Sequence, residues 1–152
     1  MIDKTAIVID DEPITRMDIA GILTEAGFQV VAQGSDGFDA IELCRRHNPD
    51  VLLLDVKMPI FDGLRGAPTI IEEDSANCVV MLTAFSDKEL VGKAKQVGVT
   101  GYLVKPVEER TLLTTIEIAM AQGVRFRQMK KESRIIEQKL AERNLIDRAK
   151  SM

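Results

Sequence analysis

Five short runs of apolar, mostly β-branched residues recur along the chain. They are TAIVI (5–9), FQVVA (28–32), VLLLD (51–55), CVVML (78–82) and GYLVK (101–105). Their apolar positions are nearly continuous rather than alternating, which is typical of strands that are buried on both faces of a sheet. We therefore predict five buried strands.

Segments with the apolar spacing of helices lie between these runs. They are ITRMDIAGILTEAG (14–27), GFDAIELCRRH (37–47), LRGAPTIIEED (64–74) and SDKELVGKAKQVG (86–98). Gly27 and Gly98 close the first and fourth segments, and Ser35 with Asp36 can cap the second. The chain thus alternates strand and helix.

Two helical segments have less regular sequences. In the third, Gly66 and Pro68 weaken or delay the start of the helix. After Pro106 there is no further proline and a single glycine, Gly123. We expect one long helix from about Val107, with a kink at Gly123.

Alternating strands and helices predict an α/β fold, a doubly wound parallel sheet with helices on both faces and right-handed connections. In such sheets the functional groups lie at the carboxyl ends of the strands, near a topological switch point. The loops that follow the strands are therefore where chemistry is expected.

The composition suits one globular domain with a short appendage: 152 residues, 45% apolar and 29% charged. No apolar run approaches the roughly 18 residues of a membrane span. The first residues, MIDKT, lack the form of a signal peptide. We expect a cytoplasmic protein without a membrane segment, in which Cys44 and Cys78 are reduced and buried.

The net charge of −4 hides an asymmetry. Residues 1–123 carry 11 Lys and Arg against 20 Asp and Glu, a charge of −9, whereas residues 124–152 carry 9 against 4, a charge of +5. An acidic body with a basic tail indicates two separate roles.

Acidic residues follow the first strand, where AIVIDDEP places Asp10, Asp11 and Glu12 at the end of a buried run. Asp55 ends the third strand. Carboxylates this close repel one another and weaken folding unless a cation offsets them. Carboxylate oxygens are the ligands that Mg²⁺ prefers, so a magnesium site is expected here.

The fourth and fifth strands add a hydroxyl and an ammonium group. Thr83 and Ala84 follow the fourth strand, and Lys105 with Pro106 follows the fifth. In the strand order 2-1-3-4-5, these groups and the acids meet at one edge of the sheet. With Mg²⁺ bound, Asp55 can then act as a nucleophile toward a phosphoryl group, whose charge Lys105 offsets.

The chain contains no Walker-type GxxxxGK[ST] loop and no GxGxxG motif. It therefore has no evident nucleotide site of its own, and we expect it to receive a phosphoryl group rather than to draw one from ATP.

The stretches AIVIDDEP, LLLDVKMPIFDG, MLTA and GYLVKP resemble, in this order and spacing, the receiver domain of two-component response regulators. The resemblance covers about residues 3–122 and implies a flavodoxin-like fold with five parallel strands in the order 2-1-3-4-5. Each stretch alone has a commoner explanation, such as charged residues at a helix start or a turn at Asp62 and Gly63. All four together are specific.

The resemblance also implies roles for individual residues. Asp55 would be the phosphoacceptor, and Asp10 and Asp11 would hold Mg²⁺ directly or through water. The main-chain carbonyl of Lys57 would also bind the metal, and the phosphoryl group would be bound by Lys57, Thr83, Ala84 and Lys105. The Lys105–Pro106 peptide would be cis, and Tyr102 would move with Thr83.

The basic tail is helical in propensity and carries about two imperfect heptads from Phe126 to Asp147. We assign 1–122 to the receiver domain, 123–143 to a coiled-coil linker and 144–152 to the start of an output module. The alternative is one amphipathic helix that folds back on the receiver. KLAERNLIDRAKSM resembles the beginning of the ANTAR module of RNA-binding antitermination regulators, which suggests that the sequence stops early in this module.

These observations lead to one principal hypothesis and two alternatives. The principal hypothesis is a regulator, not an enzyme beyond its own phosphorylation and dephosphorylation. A sensor histidine kinase would phosphorylate it, it would form a homodimer through the fourth and fifth helices and the tail, and it would bind RNA to control antitermination. The alternatives are a DNA-binding response regulator and a stand-alone receiver that binds proteins.

Overall fold

The structure is a computed structural model that describes residues 4–56, 63–84 and 98–123, together with the helical positions 92 and 96. Its elements are β1 (Thr5–Ile9), α1 (Pro13–Glu25), β2 (Gln29–Gly34), α2 (Gly37–His47), β3 (Val51–Asp55), α3 (Gly63–Glu73), β4 (Val79–Thr83) and β5 (Gly101–Val104). A further helix covers residues 109–123 and is called the 109–123 helix below.

The five strands form one parallel sheet in the order β2-β1-β3-β4-β5. This confirms the predicted fold and strand order. Two strands begin one residue later than predicted, because Phe28 and Cys78 precede the first paired residues, and Lys105 follows β5 rather than ending it.

The sheet separates two apolar cores, as expected for strands buried on both faces. Successive strand residues point to opposite faces, so Val8 and Leu53 pack with Leu23 of α1 and with the 109–123 helix. Their neighbours pack on the other face against α2 and α3, whose core residues include Cys44 and Ile70. The strands are therefore packed on both faces, which fixes the positions of the loops that follow their carboxyl ends.

The ends of α1 and α2 follow from their sequences. Gly27 ends α1 with a φ of 98°, a left-handed conformation that glycine adopts without strain. Asp36 caps α2, since its Oδ1 accepts a hydrogen bond from the Asp39 main-chain nitrogen at 2.8 Å, and Asp39 accepts in return from the Ser35 nitrogen at 3.0 Å. The predicted cap of α2 is thus confirmed.

The predicted delay in the start of α3 is wrong. The helix begins at Gly63 and runs through Pro68. Gly66 and Ala67 are buried, whereas Pro68 is exposed. Packing of the small residues against the sheet outweighs their low helix propensity, and the missing N–H of one proline removes a single helical hydrogen bond.

The structure describes only part of the two predicted helices that follow β4. Positions 92 and 96 are helical and Gly98 has a φ of 99°, in agreement with the fourth predicted helix and its end. The 109–123 helix begins two residues after the predicted start. The tail, with the proposed linker and output segment, lies outside the described residues. Among the described helices, none has the length and apolar character needed to cross a membrane.

Candidate functional site

The candidate site lies at the carboxyl ends of four adjacent strands. Asp10 follows β1, Asp55 ends β3, Thr83 ends β4 and Lys105 follows β5. The parallel register brings these ends level, with Ile9 opposite Leu54, Asp55 opposite Leu82 and Thr83 opposite Val104. The predicted site residues therefore meet at one edge of the sheet.

Lys105 joins the two buried acids of the site. Its Nζ lies 2.7 Å from Asp10 Oδ2 and 3.2 Å from Asp55 Oδ2, and its side chain is 13% exposed. Burial alone lowers the pKa of Lys105, but the hydrogen bond to Asp10 and the charges of both carboxylates outweigh it, so the pKa is raised. The lysine is therefore a fixed positive charge beside the predicted phosphoacceptor.

Asp10 is completely buried and bound on both carboxylate oxygens. While Oδ2 pairs with Lys105, Oδ1 accepts a hydrogen bond from the Glu12 main-chain nitrogen at 2.9 Å. The Asp10 nitrogen donates to the Gly34 carbonyl at 3.1 Å. These contacts explain how a charged side chain is tolerated at the end of a core strand.

Asp11 differs from its neighbour, since within the part of the chain that the structure describes it has no ion pair or hydrogen bond and is half-buried. Carboxylate oxygens of Asp10, Asp11 and Asp55 lie within 4.8 Å of one another. Mg²⁺ prefers hard oxygen ligands and keeps several waters in its octahedron, so two or three carboxylates this close are sufficient to hold it. The residues present thus suit the predicted metal.

The remaining predicted residues surround this cluster. Thr83 is 1% exposed, and its carbonyl accepts a hydrogen bond from the Lys105 nitrogen at 2.6 Å. Ala84 follows at the exposed edge, and Tyr102 lies half-buried in β5 on the face of α2 and α3. The Lys105–Pro106 peptide is cis, as the family resemblance implied. Lys57 lies outside the described residues.

Arg16 is a contact of the site that the sequence reading missed. Its Nη1 donates to the Asp10 carbonyl oxygen at 2.9 Å, from the first turns of α1. A signal was present, because an arginine soon after an acidic cluster on the following helix can reach back to the strand end. A groove of about 420 Å³ runs between α1 and the β5 loop beside Lys105, and its lining includes Glu12, Ile22 and Pro106.

The two cysteines take no part in the site. Cys44 and Cys78 are buried in the separate cores on opposite faces of the sheet. Burial raises the pKa of the Cys44 thiol to about 12. Cys78 Sγ donates a hydrogen bond to the Asp50 carbonyl at 3.3 Å. The expectation that both are buried thiols is confirmed, and its raised pKa keeps the Cys44 thiol protonated at neutral pH.

The arrangement has the parts that phosphoryl transfer to a carboxylate requires. A carboxylate, Asp55, lies beside a fixed ammonium group and near two further acids that can hold a divalent cation. Positive charge on both sides would offset the negative charge of an incoming phosphoryl group.

Comparisons with known proteins agree with this chemistry. A family model described as the response regulator receiver domain matches residues 6–117. The transcriptional regulatory protein PdtaR of Mycobacterium tuberculosis is 36% identical over 151 residues, 99% of this chain and 73% of that protein. The chemotaxis protein CheY of Bacillus subtilis is 33% identical over 110 residues, 72% of this chain and 92% of that protein.

Solved structures are similar in fold. The receiver domain of the response regulator NarL from Mycobacterium tuberculosis aligns with a TM-score of 0.74 at 28% identity, covering 80% of this chain and 98% of that one. The CheY of a CheX–CheY complex with BeF₃ and Mg²⁺ from Borrelia burgdorferi aligns with a TM-score of 0.72 at 28% identity, covering 76% and 87%.

Proposed function

The chain belongs to the response regulator receiver domain family, and from this premise we propose that it accepts a phosphoryl group on Asp55 in a reaction that requires Mg²⁺. The observation that carries the proposal is the position of Asp55, 3.2 Å from the Lys105 ammonium and within 4.8 Å of the acid pair. Receiver domains take their phosphoryl group from a histidine kinase, which is the expected partner.

Each residue of the site has a defined part in the transfer. An Asp55 oxygen attacks phosphorus, and the bond to the donor breaks as the leaving group departs with the electron pair. Mg²⁺ would be held by Asp10, Asp11, Asp55 and the Lys57 carbonyl, and its positive charge would offset the negative charge of the phosphoryl oxygens. Lys105 would bind one of these oxygens, and Thr83 and the Ala84 nitrogen would donate hydrogen bonds to others.

Mass spectrometry tests the assignment of Asp55. We expect one added phosphoryl group after incubation of the protein with acetyl phosphate and Mg²⁺, and none with chelator or in Asp55→Asn. Asp50→Asn is the matched control, because Asp50 lies at the opposite edge of the sheet, where it accepts hydrogen bonds from Thr5. Equal modification of Asp55→Asn would exclude Asp55 as the acceptor.

A patch of exposed apolar side chains supports a docking surface for the kinase on α1. Ile14 is 77% exposed and Met17 is 66% exposed, and α1 begins directly after the acidic cluster. A partner helix packed there would present its phosphohistidine to Asp55. Met17→Glu should slow transfer from a phosphorylated kinase while leaving the reaction with acetyl phosphate unchanged, and an equal rate from the kinase would exclude this surface.

We further propose that phosphorylation promotes a homodimer through the fourth and fifth helices and the tail. Val104 on the edge strand β5 and Ile118 on the 109–123 helix are 41% and 54% exposed, and they support a contact on this side. Sedimentation with and without beryllofluoride tests it. A dissociation constant that does not change with beryllofluoride would exclude the assembly switch.

The proposed output is RNA binding in transcription antitermination, in the cytoplasm and without enzymatic activity beyond the protein's own phosphorylation state. Three observations support this output. Residues 124–152 are basic, KLAERNLIDRAKSM resembles the ANTAR module, and one relative is described as a transcriptional regulatory protein. A binding assay separates the alternatives: the protein, as its gene encodes it, is titrated with labelled RNA and with duplex DNA over a series of salt concentrations. Preference for DNA, or no binding to either, would favour the DNA-binding or the stand-alone regulator.

A further inference from the structure

One side chain holds the peptide group that links the two acids of the site. Arg16 Nη1 donates to the Asp10 carbonyl oxygen at 2.9 Å, and this carbonyl belongs to the peptide between Asp10 and Asp11. Arg16 stands in the first turns of α1, and its own nitrogen donates to the Glu12 carbonyl at 3.0 Å. The guanidinium therefore links the helix to the turn at the end of β1.

The two acids depend on this peptide to different degrees. The Asp10 carboxylate is held by Lys105 at 2.7 Å and by the Glu12 nitrogen at 2.9 Å, so its position is fixed by its own contacts. Asp11 has no such partner within the described part of the chain. No side-chain contact fixes its carboxylate, so its position depends more strongly on the main chain, and hence on the orientation of the peptide that precedes it.

We propose that Arg16 is a positioning residue for Asp11. By fixing the Asp10–Asp11 peptide, it keeps the Asp11 carboxylate aimed at the point that Asp10 and Asp55 share, within 4.8 Å of both. Without the guanidinium, that peptide can rotate and carry Asp11 away from the cluster. The proposal rests on the proposed binding of Mg²⁺ at these acids, and it adds a residue that touches neither the metal nor the phosphoryl group.

Magnesium titration of the folded protein, followed by calorimetry and by thermal melting, tests the proposal. Arg16→Met removes the guanidinium but keeps an unbranched side chain that suits a helix. We expect the Kd for Mg²⁺ to rise about tenfold, because loss of a group that orients a metal ligand typically weakens binding by about 10–100-fold. The control is Arg46→Met, which removes the same charge from an exposed position on α2.

A double variant separates positioning from long-range charge. If Arg16 acts by aiming Asp11, then in an Asp11→Asn background Arg16→Met should change the Kd for Mg²⁺ by less than about twofold, because the ligand it positions is already lost. A purely electrostatic effect of Arg16 would have the opposite sign, since removing a positive charge near the site would tighten Mg²⁺ binding.

The outcomes distinguish this proposal from the one on which it rests. Absence of any Mg²⁺ binding by the unaltered protein would overturn the metal site itself. Normal binding by the unaltered protein and an unchanged Kd in Arg16→Met, even with a lowered melting temperature, would show that Arg16 only stabilises the fold. An equal loss in Arg46→Met, or a full tenfold loss in the Asp11→Asn background, would also overturn the positioning role.

Discussion

Asp11→Asn is the substitution that most directly probes the electrostatics of the acid cluster. Asp10 and Asp55 each pair with Lys105, whereas Asp11 has no partner among the described residues. Asparagine keeps the size of the side chain and removes its charge. In the absence of metal the change should relieve repulsion without breaking a contact, so we expect the variant to be more stable than the unaltered protein.

The geometry sets the size of this effect. Two unit charges 4.8 Å apart repel by about 3.5 kcal/mol at an effective dielectric constant of ~20 and by about 0.9 kcal/mol in water. Asp11 is half-buried, so the lower part of this range applies, and Lys105 offsets one of its two repulsions. We expect a gain of about 1 kcal/mol, which corresponds to about 4 °C in melting temperature for a domain of this size.

Thermal melts in chelator and in Mg²⁺ should therefore rank the two proteins in opposite order. Mg²⁺ at a hundred times its Kd stabilises the unaltered protein by about 2.7 kcal/mol, whereas a variant that binds a hundredfold more weakly gains about 0.4 kcal/mol. The variant should be the more stable protein in chelator and the less stable one in Mg²⁺. Its advantage in chelator should shrink in high salt, which screens the repulsion.

Glu117→Gln is the control, because it removes one negative charge from an exposed position of the 109–123 helix and should leave both rankings unchanged. A lower melting temperature of Asp11→Asn in chelator would mean that Asp11 stabilises the fold, and the reasoning from repulsion would be wrong. A normal response of this variant to Mg²⁺ would remove Asp11 from the metal site.

Two further predictions concern the folded core. Gly123→Ala should destabilise the protein by about 1–3 kcal/mol in urea unfolding, because a Cβ there would lie 2.8 Å from the Asn77 carbonyl oxygen and 3.1 Å from Cys78 Cβ. Gly21→Ala is the control, since a Cβ at Gly21 would meet no neighbouring atom within 4 Å, and it should stabilise the protein by up to ~1 kcal/mol. Similar effects of the two substitutions would contradict this account of the packing at Gly123. The Cys44 thiol has a pKa of about 12 in the folded protein, whereas its ordinary value is 9.0. Between pH 9 and pH 12 only the unfolded chain loses this proton, so the free energy of unfolding should fall as the pH rises above about 9. Relative to Cys44→Ala, the unaltered protein should lose about 1 kcal/mol between pH 8 and pH 10 in urea unfolding, and parallel pH profiles would show that the buried thiol makes no contribution.

The sequence by itself determined the framework of this protein. The continuous apolar runs predicted strands buried on both faces, and Asp36 and Gly27 marked helix ends, because these features depend on neighbours only a few residues away. The acids and the lysine could be assigned to one edge because parallel strands of known order must bring their carboxyl ends together. The prediction of a delayed start for α3 at Gly66 and Pro68 was wrong, because packing against the sheet outweighs local helix propensity.

Only the tertiary structure decided which charges are paired. Lys105 reaches both Asp10 and Asp55, from which it is separated by 95 and 50 residues along the chain, and leaves Asp11 without a partner in the described residues. The spacing of Arg16 after the acidic cluster made a contact with the strand end possible, but only the fold decided that Arg16 binds the Asp10 carbonyl. Such contacts form only when separate elements are placed to within a few tenths of an ångström. Strand register and packing set this placement, and no local pattern of residue types encodes it.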